Sequence, residues 1–283
     1  MTMDEAPVPL RAADEPPPFE VCNPDGPAPL LLLCDHASGF IPRTLGALGL
    51  DEAQLARHIA LDIGIAEVTR RLAEHLDAPA VLSGFSRLIV DPNRSFEDPT
   101  LIPQISDGVV VPGNRELTPE IRQARLDAFY EPYHAAVTST LEAKQAGMAG
   151  QSEDPLRESI VRGPAVISMH SFTPVMKGSE RPWQIGVLWN RDPRLPQPLM
   201  AKLRAAGVVV GDNEPYSGRD GHGHTLHVHA EPRGFANVLI EVRQDLIDTH
   251  HGAIEWAERL GAVLSELLTD PGLFLVEHYG KRK

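Results

Sequence analysis

The chain has 283 residues, of which 42% are hydrophobic and 23% are charged, as is typical of a globular protein. Its net charge of −13 argues against nucleic acid as a partner, because phosphate contacts need a basic surface. No apolar run reaches the roughly 18 residues of a membrane-spanning helix, and the two cysteines, Cys22 and Cys34, are too few for a disulfide framework, which suits a reducing cytoplasm.

The N-terminal segment is acidic and rich in proline up to about Pro18, which is typical of a flexible chain. It lacks a basic stretch followed by an apolar one, so no secretory signal is predicted. We therefore expect a flexible arm over residues 1–20. A single domain is expected over residues 21–278, since α/β domains often reach about 250 residues.

The first buried strand is predicted over Pro29–Cys34, a continuous apolar run that leads almost directly into His36. A helix is predicted over Asp51–Leu76, beginning at a capping residue and carrying an apolar stripe. Within that helix His58 and Asp62 lie four residues apart and would share one face. On this face, His58 and Asp62 either form a local hydrogen bond with each other or lie over the end of the sheet near His36.

Two more strand-like runs follow, Ala80–Ser83 and Phe85–Asp91. The second of them ends in a cluster of polar groups, Arg87, Asp91, Asn93 and Arg94. An arginine fork fits a carboxylate through two parallel hydrogen bonds. The cluster therefore predicts either a site for a substrate carboxylate or a solvated surface group.

A long segment with little periodicity, Asp98–Asn114, is predicted to form a wall or lid of a site. A helix should then begin at the capping residue Thr118, kink near Pro132 and run to about Lys144. A polar exposed loop is expected over Gly147–Pro155.

The second half of the chain begins with a buried strand over Ala165–Met169 that terminates in His170. The loop over Gly211–Gly234 holds four histidines, but their spacing matches no closed structural zinc site. The remaining expected elements are a loop over Thr173–Pro182, a strand over Gln184–Trp189, a helix over Pro196–Ala206, a strand over Val208–Val210, a closing helix over Ala253–Leu268 and an exposed basic tail over Tyr279–Lys283.

A central strand is predicted over Asn237–Asp245, with Glu241 in its middle and Arg243 two positions on. A carboxylate in such a strand is costly unless it is paired or used, so Glu241 is either half of an ion pair or a general base. Alternating strands and helices predict a three-layer α/β fold, with a mostly parallel or mixed sheet covered on both faces. His36, His170 and a carboxylate at neighbouring strand ends would suit a catalytic zinc.

Seven segments taken together resemble the N-formylglutamate amidohydrolase family, from about Leu30 to Ile247, and are more distantly similar to zinc carboxypeptidases. The segments are "DHASGFIP" (Asp35–Pro42), "HIALDIG" (His58–Gly64), "SRLIVDPNR" (Ser86–Arg94), "PYH" (Pro132–His134), "MHSF" (Met169–Phe172), "HAEPRG" (His229–Gly234) and "LIEVRQDL" (Leu239–Leu246).

The resemblance implies a phosphorylase/hydrolase-like fold and a zinc ion held by His36 and His170. Carboxypeptidases supply a glutamate ligand three residues after the first histidine, and Gly39 stands there in this chain. The third ligand must come from elsewhere. Asp62 is the first choice because it matches an acid of the family's motif, and His58 is the alternate.

The resemblance also implies roles in substrate binding and catalysis. Glu241 resembles the general base, and His229 a polarising or substrate-binding residue. Arg94 resembles the clamp of a substrate carboxylate, with Asn93 beside it. Two further candidates for the substrate carboxylates are Arg87 and Arg243.

The activity implied by the family is hydrolysis of N-formylglutamate to glutamate and formate, as in amino acid catabolism and histidine degradation. Three alternatives stay open: a zinc amidase or carboxypeptidase-like peptidase on another acylated amino acid, a non-catalytic binder of small carboxylates, and a serine hydrolase. The last would use Ser38 or Ser171, although neither lies in a nucleophile-elbow pattern.

Overall fold

The computed structural model describes residues 9–148 and 161–280. The strands are β1 (Phe19–Cys22), β2 (Leu30–Cys34), β3 (Ala80–Ser83), β4 (Ile105–Ser106), β5 (Val109–Val110), β6 (Ala165–Phe172), β7 (Val175–Met176), β8 (Ser179–Glu180), β9 (Ile185–Leu188), β10 (Val210–Asp212) and β11 (Asn237–Arg243). The α-helices are α1 (Glu52–Leu55), α2 (Ile65–His75), α3 (Pro119–Arg125), α4 (Glu131–Met148), α5 (Pro196–Ala205), α6 (His224–His229) and α7 (His250–Leu267). Of these helices, none has the length and hydropathy needed to cross a lipid bilayer.

A mixed sheet of seven strands organises the described chain in the order β1-β3-β2-β6-β11-β9-β10. The central strands β3, β2, β6 and β11 run parallel, whereas β9 and β1 are antiparallel to their neighbours β11 and β3. The carboxyl ends of the four parallel strands therefore share one edge. The predicted three-layer α/β fold with a mixed sheet is confirmed.

Both faces of the sheet are buried, and β2 shows how. Leu30 and Leu32 pack with α2, α5 and α7, whereas Leu31 and Leu33 pack with α4 and its preceding turn. Successive side chains of a strand point to opposite faces. A strand covered on both faces is accordingly a continuous apolar run, which is why "LLLLC" was recognisable in the sequence.

The helix predicted over Asp51–Leu76 is wrong in its middle. Asp51 does form a capping box with Gln54, but α1 ends at Leu55 and α2 starts only at Ile65. Gly64 precedes α2 with a φ of 79°, and a Cβ there would lie 2.0 Å from a backbone oxygen of the chain after β11. This close approach explains the break, and it means that His58 and Asp62 do not share a helical face.

The strand predicted over Phe85–Asp91 is also wrong, because this run forms a buried turn-rich segment. Its backbone is held by other groups: Ser86 donates its hydroxyl to the Ala60 carbonyl, and the buried Arg125 donates to the Ile89 carbonyl. An apolar run predicts burial but does not by itself reveal whether a neighbouring strand pairs with it. The segment places Arg87, Asp91, Asn93 and Arg94 beside the ends of the parallel strands.

The predicted loops contain short regular elements. The hairpin β4–β5 and a 3₁₀ turn at Pro112–Asn114 lie within Asp98–Asn114, and α6 lies within Gly211–Gly234. The kink expected near Pro132 takes the form of a π-helical turn over Leu126–Tyr130, immediately before α4. Proline removes one helical hydrogen bond and so favours such an irregularity.

The two chain ends and one internal segment are not fully described. Residues 1–8, 149–160 and 281–283 lie outside the described residues, and with them most of the predicted loop Gly147–Pro155 and the tip of the basic tail. The described part of the arm is held in place, since the buried Glu15 accepts hydrogen bonds from the backbone N–H groups of Ala12 and Arg43. The Glu15 carboxylate thereby joins Ala12 to Arg43, and β1 begins inside the expected arm.

Candidate active site

A small cavity of about 130 Å³ opens at the carboxyl ends of β2, β6 and β11. Eight of the side chains singled out from the sequence line it: His36, His58, Asp62, Arg87, Asn93, Arg94, His170 and Glu241. Other residues that line the cavity, among them Phe172, Thr173, Tyr216 and Gln244, were not selected as candidates in the sequence analysis.

His36, Asp62 and His170 form a buried cluster in which one ligand atom from each lies within 4.8 Å of the others. Asp62 Oδ2 lies 3.3 Å from His36 Nδ1 and 2.9 Å from His170 Nδ1. His36 follows β2, His170 lies within β6, and Asp62 comes from the segment before Gly64. A backbone hydrogen bond from Asp62 N to the His36 carbonyl, 3.0 Å long, fixes this segment beside β2.

Two further carboxylates hold the outer nitrogens of these histidines. Asp91 Oδ1 lies 2.7 Å from His36 Nε2, and Asp35 Oδ2 lies 3.0 Å from His170 Nε2. A carboxylate on one ring nitrogen directs the other nitrogen toward a metal and is characteristic of metal-bound histidine. Asp35 was overlooked in the sequence, although its position directly before His36 in "CDHAS" was a usable signal.

The electrostatics of the cluster favour a positive charge. Burial opposes protonation of His170, but hydrogen bonds to Asp35 and Asp62 outweigh it and raise its pKa to about 10. Burial likewise acts against ionised Asp35, but hydrogen bonding and proximity to His170 hold its pKa below the usual range. Three buried carboxylates around two imidazoles thus form a site suited to a cation.

Glu241 lies beside this cluster in the centre of the sheet. In the register of parallel β6 and β11 it is paired with His170, and on the other side it is paired with Gly186 of β9. Its Oε2 atom is buried and has no hydrogen-bond partner among the described residues. Burial raises the pKa of Glu241 to about 7, a value suited to accepting and returning a proton near neutral pH.

The three arginines considered for substrate binding have different surroundings. Arg87 contacts Asp91 at 2.8 Å and Asp62 at 3.4 Å, so it holds the carboxylates of the cluster. Arg243 does not line the cavity, because its guanidinium contacts Asp245 and backbone carbonyls outside it. Arg94 lines the cavity.

Arg94 is held through its Nε and Nη1 atoms, and the Asp98 carboxylate lies 3.7 Å from Nε. Its Nη1 donates to the Asn93 carbonyl at 2.9 Å and its Nε to the Thr100 hydroxyl at 3.2 Å. Within residues 9–148 and 161–280, no recorded hydrogen bond uses its Nη2. The side chain of Asn93 accepts from Thr225 N at 3.1 Å and points its amide toward His170. Arg94 thus offers a cation to a ligand in the cavity.

His58 and His229 lie away from the His36–Asp62–His170 cluster. His58 lines the cavity, but its Nε2 faces Asp107 at 3.5 Å. His229 lies on α6, lines a separate surface cavity and contacts His134 through a 2.7 Å hydrogen bond. His229 does not line the cavity that holds Glu241, so a direct polarising role for His229 stays a prediction.

The two serines considered as nucleophiles make local contacts. Ser171 donates its hydroxyl to the Ile63 carbonyl at 2.9 Å, and Ser38 accepts from the Phe40 N–H. Neither recorded contact pairs a hydroxyl with a basic side chain, as serine catalysis requires. The geometry thus favours Glu241 and the histidine–carboxylate cluster over a serine nucleophile.

A mixed sheet with buried histidines and carboxylates at its carboxyl edge, beside a glutamate oxygen that has no partner among the described residues, is typical of an α/β enzyme with a metal site. The family model for N-formylglutamate amidohydrolase matches residues 28–248, so the chain belongs to that family. It is accordingly an amidohydrolase, an enzyme that acts on a small molecule.

Two solved structures are similar to this chain in fold. A gene product of Agrobacterium tumefaciens is 36% identical, with a TM-score of 0.85, over 92% of this chain and 98% of that one. An N-formylglutamate amidohydrolase from Ralstonia eutropha is 20% identical, with a TM-score of 0.68, over 89% of this chain and 97% of that one. At 20% identity the second likeness supports the fold alone. A comparison with curated protein sequences finds no match.

Proposed function

We propose that this protein is a zinc-dependent amidohydrolase that cleaves N-formylglutamate to glutamate and formate. The observation that carries the proposal is the pairing of the His36–Asp62–His170 cluster with the buried, partnerless Glu241 Oε2. A non-catalytic carboxylate binder would have no need for a buried base beside such a cluster. The enzyme is proposed to act in the cytoplasm, in amino acid catabolism such as histidine degradation, with residues 21–278 as one catalytic domain.

The residues present fit a catalytic zinc ion. Two imidazole nitrogens and one carboxylate oxygen are a common zinc ligand set that leaves a position open, whereas magnesium and calcium prefer oxygen ligands alone. His36, His170 and Asp62 would hold the ion, with Asp91 and Asp35 orienting the two histidines. A bound zinc ion supplies Lewis acidity, which polarises a carbonyl and lowers the pKa of a water molecule to about 7.

The chain's own residues provide the proton transfers. Glu241 accepts a proton from water at Oε2 while the water oxygen forms a bond to the formyl carbon. Glu241 then returns that proton to the amide nitrogen as the carbon–nitrogen bond breaks. The products are formate and the free amine of the amino acid. Burial raises the pKa of Glu241 above its ordinary value, which makes the carboxylate a better proton acceptor.

The proposed substrate is small and anionic, and the cavity suits it. The cavity, with a volume of about 130 Å³, suits a single amino acid derivative better than a folded polypeptide segment. Because the chain carries a net charge of −13, an anionic substrate needs a local cation. Arg94 supplies that cation at the cavity wall, with Asn93 beside it.

A hydrolysis screen tests the proposal. Tag-free protein loaded with zinc would be assayed on N-formylglutamate, N-formylaspartate, N-acetylglutamate, N-formylleucine and a benzoylated dipeptide. We expect release of formate from N-formylglutamate with the highest kcat/KM of the set. A higher kcat/KM on the dipeptide or on N-formylleucine would instead assign a peptidase or another acylase, and absence of turnover on all five would contradict the proposal.

Arg94→Lys is expected to lower kcat/KM on N-formylglutamate by about 30- to 1000-fold while zinc content stays normal. Lysine keeps the charge but cannot reproduce the planar fork of arginine. The matched substrate is the α-amide of N-formylglutamate, which lacks the α-carboxylate. If Arg94 clamps that carboxylate, the variant loses far more on the acid than on the amide, and an equal loss on both would contradict the assignment.

A further inference from the structure

Behind the cavity, two chains of hydrogen bonds hold the backbone on either side of Asn93. In the first chain the Pro92 carbonyl lies 2.9 Å from His134 Nε2. A carbonyl can only accept, so His134 carries its proton on Nε2 and accepts at Nδ1. His229 Nε2, 2.7 Å from that Nδ1, is therefore the donor. The remaining nitrogen, His229 Nδ1, faces the Thr138 hydroxyl at 3.4 Å.

The second chain of hydrogen bonds ends on the Arg94 carbonyl, two residues after Pro92. The hydroxyl of Tyr130 donates to the Arg94 carbonyl at 3.0 Å. The same hydroxyl lies 3.0 Å from His224 Nε2, which must be the donor because the phenolic proton is already used. Both chains of hydrogen bonds thus begin on α6. They reach the Asn93 segment through His134, in the first turn of α4, and Tyr130, directly before α4.

The surroundings of these groups fix which atom donates and which accepts in each of these hydrogen bonds. His229 and Tyr130 are buried, and the His134 and His229 rings stack with centroids 5.0 Å apart. Burial lowers the pKa of His134 to about 4 and that of His229 to about 3, so both are neutral at pH 7. A neutral imidazole can accept at one nitrogen and donate at the other, as the first chain requires.

None of the four residues in these chains lines the catalytic cavity. Asn93 and Arg94 do line it, and they are joined to the two carbonyls that the chains hold. The start of α6 also holds the Asn93 side chain, through the 3.1 Å hydrogen bond from Thr225 N. The position of the substrate-binding segment is therefore set in part by α4, the turn before it and α6.

We propose that His134, His229, Tyr130 and His224 are positioning residues that fix Asn93 and Arg94 for recognition of the substrate carboxylate. They act through the Pro92 and Arg94 carbonyls and touch neither substrate nor the His36–Asp62–His170 cluster. This inference rests on the proposed function for its kinetic test. It also gives His229 a role that differs from the direct catalytic one implied by the family resemblance.

The test uses Tyr130→Phe, which removes one hydroxyl and keeps the ring, together with His134→Leu and its conservative counterpart His134→Gln. The measured quantity is the ratio of kcat/KM on N-formylglutamate to kcat/KM on its α-amide. We expect the ratio to fall at least about 5-fold in Tyr130→Phe and more in His134→Leu, with zinc content unchanged. His134→Gln should recover part of the ratio, because its amide can still donate to the Pro92 carbonyl.

A matched control is Ser139→Ala, since Ser139 lies on α4 and, within the described part of the chain, its hydroxyl bonds to the helix's own Ala136 carbonyl and to no other group. Its ratio should equal that of the wild type. In an Arg94→Lys background, Tyr130→Phe should lower the ratio no further, because both changes act on the same contact. Equal losses on the acid and the amide would overturn the inference and leave a merely structural role.

A second readout does not depend on turnover. Hydrogen–deuterium exchange of the backbone around residues 91–95 should quicken in Tyr130→Phe and His134→Leu and stay unchanged in Ser139→Ala. Unchanged exchange in both variants would overturn the inference even if the wild type proved inactive on N-formylglutamate. An inactive wild type with quickened exchange would instead contradict the proposed substrate and retain the positioning role.

Discussion

Replacing Glu241 with glutamine is expected to lower kcat/KM on N-formylglutamate by about 10²- to 10⁴-fold, with zinc content and fold unchanged. Glutamine has the same shape but cannot accept a proton from water. The buried Oε2 atom of Glu241 accepts no hydrogen bond from residues 9–148 and 161–280, so glutamine at this position breaks no contact of that atom. The measurement is steady-state kinetics on protein whose zinc content has been determined.

The control for this variant is Glu180→Gln, an exposed glutamate of β8 whose replacement should leave the kinetics unaffected. A Glu241→Gln protein that keeps more than about a tenth of the wild-type kcat/KM would exclude Glu241 as the general base.

The pH profile gives a second test of the same role. Burial raises the pKa of Glu241 to about 7 in the metal-free protein, and the base form is present only above that pKa. Catalytic efficiency should therefore decline as the pH falls through the pKa of Glu241. A bound cation favours the ionised carboxylate, so zinc should move this decline below pH 7. A profile with no acid-side decline down to about pH 4, near the ordinary pKa of glutamate, would contradict the assignment.

Replacing a zinc ligand of the His36–Asp62–His170 cluster should have the other large effect on activity. We expect His170→Ala to bind zinc more than about 100-fold more weakly and to lose activity in proportion. Asp62→Asn should weaken binding markedly, because Asp62 Oδ2 lies within 3.3 Å of both Nδ1 atoms. The measurement is zinc titration of tag-free, chelator-treated protein, followed by assay.

His58→Gln is the matched control for the cluster, because His58 lines the same cavity but faces Asp107. Its zinc affinity should stay near that of the wild type. Full zinc occupancy in His170→Ala, or a larger loss in His58→Gln than in Asp62→Asn, would show that the ion is bound elsewhere.

The sequence sufficed to locate the strands that carry the site. Buried strands of a covered sheet are continuous apolar runs, and polar residues at their ends stand out. His36, His170 and Glu241 were recognisable for this reason, and the structure places all three around one cavity. The class of fold could be predicted from the same alternation of strands and helices.

The parts that could not be predicted depend on contacts between distant segments. The break before Gly64 follows from the close approach of the chain after β11, which no local pattern reveals. The segment after Phe85 is apolar enough for a strand, yet Arg125 and Asn114 supply its hydrogen bonds instead of a neighbouring strand. The motif around His229 was visible in the sequence. Its position on α6, outside the catalytic cavity, was not.

The buried Arg125 has a consequence for how the enzyme loses its function. Its guanidinium joins the Ile89 carbonyl, the Gly113 carbonyl and the Asn114 side chain, and thereby ties the segment bearing Arg94 to the rest of the domain. These ties are side-chain contacts, whereas β2 and β6 beneath His36 and His170 are joined by sheet hydrogen bonds. The free energy of local opening is generally lower for a loop segment than for the strands of a core sheet. On warming, the protein should pass through a partly unfolded state that retains the sheet and its two histidines after the substrate pocket has come apart.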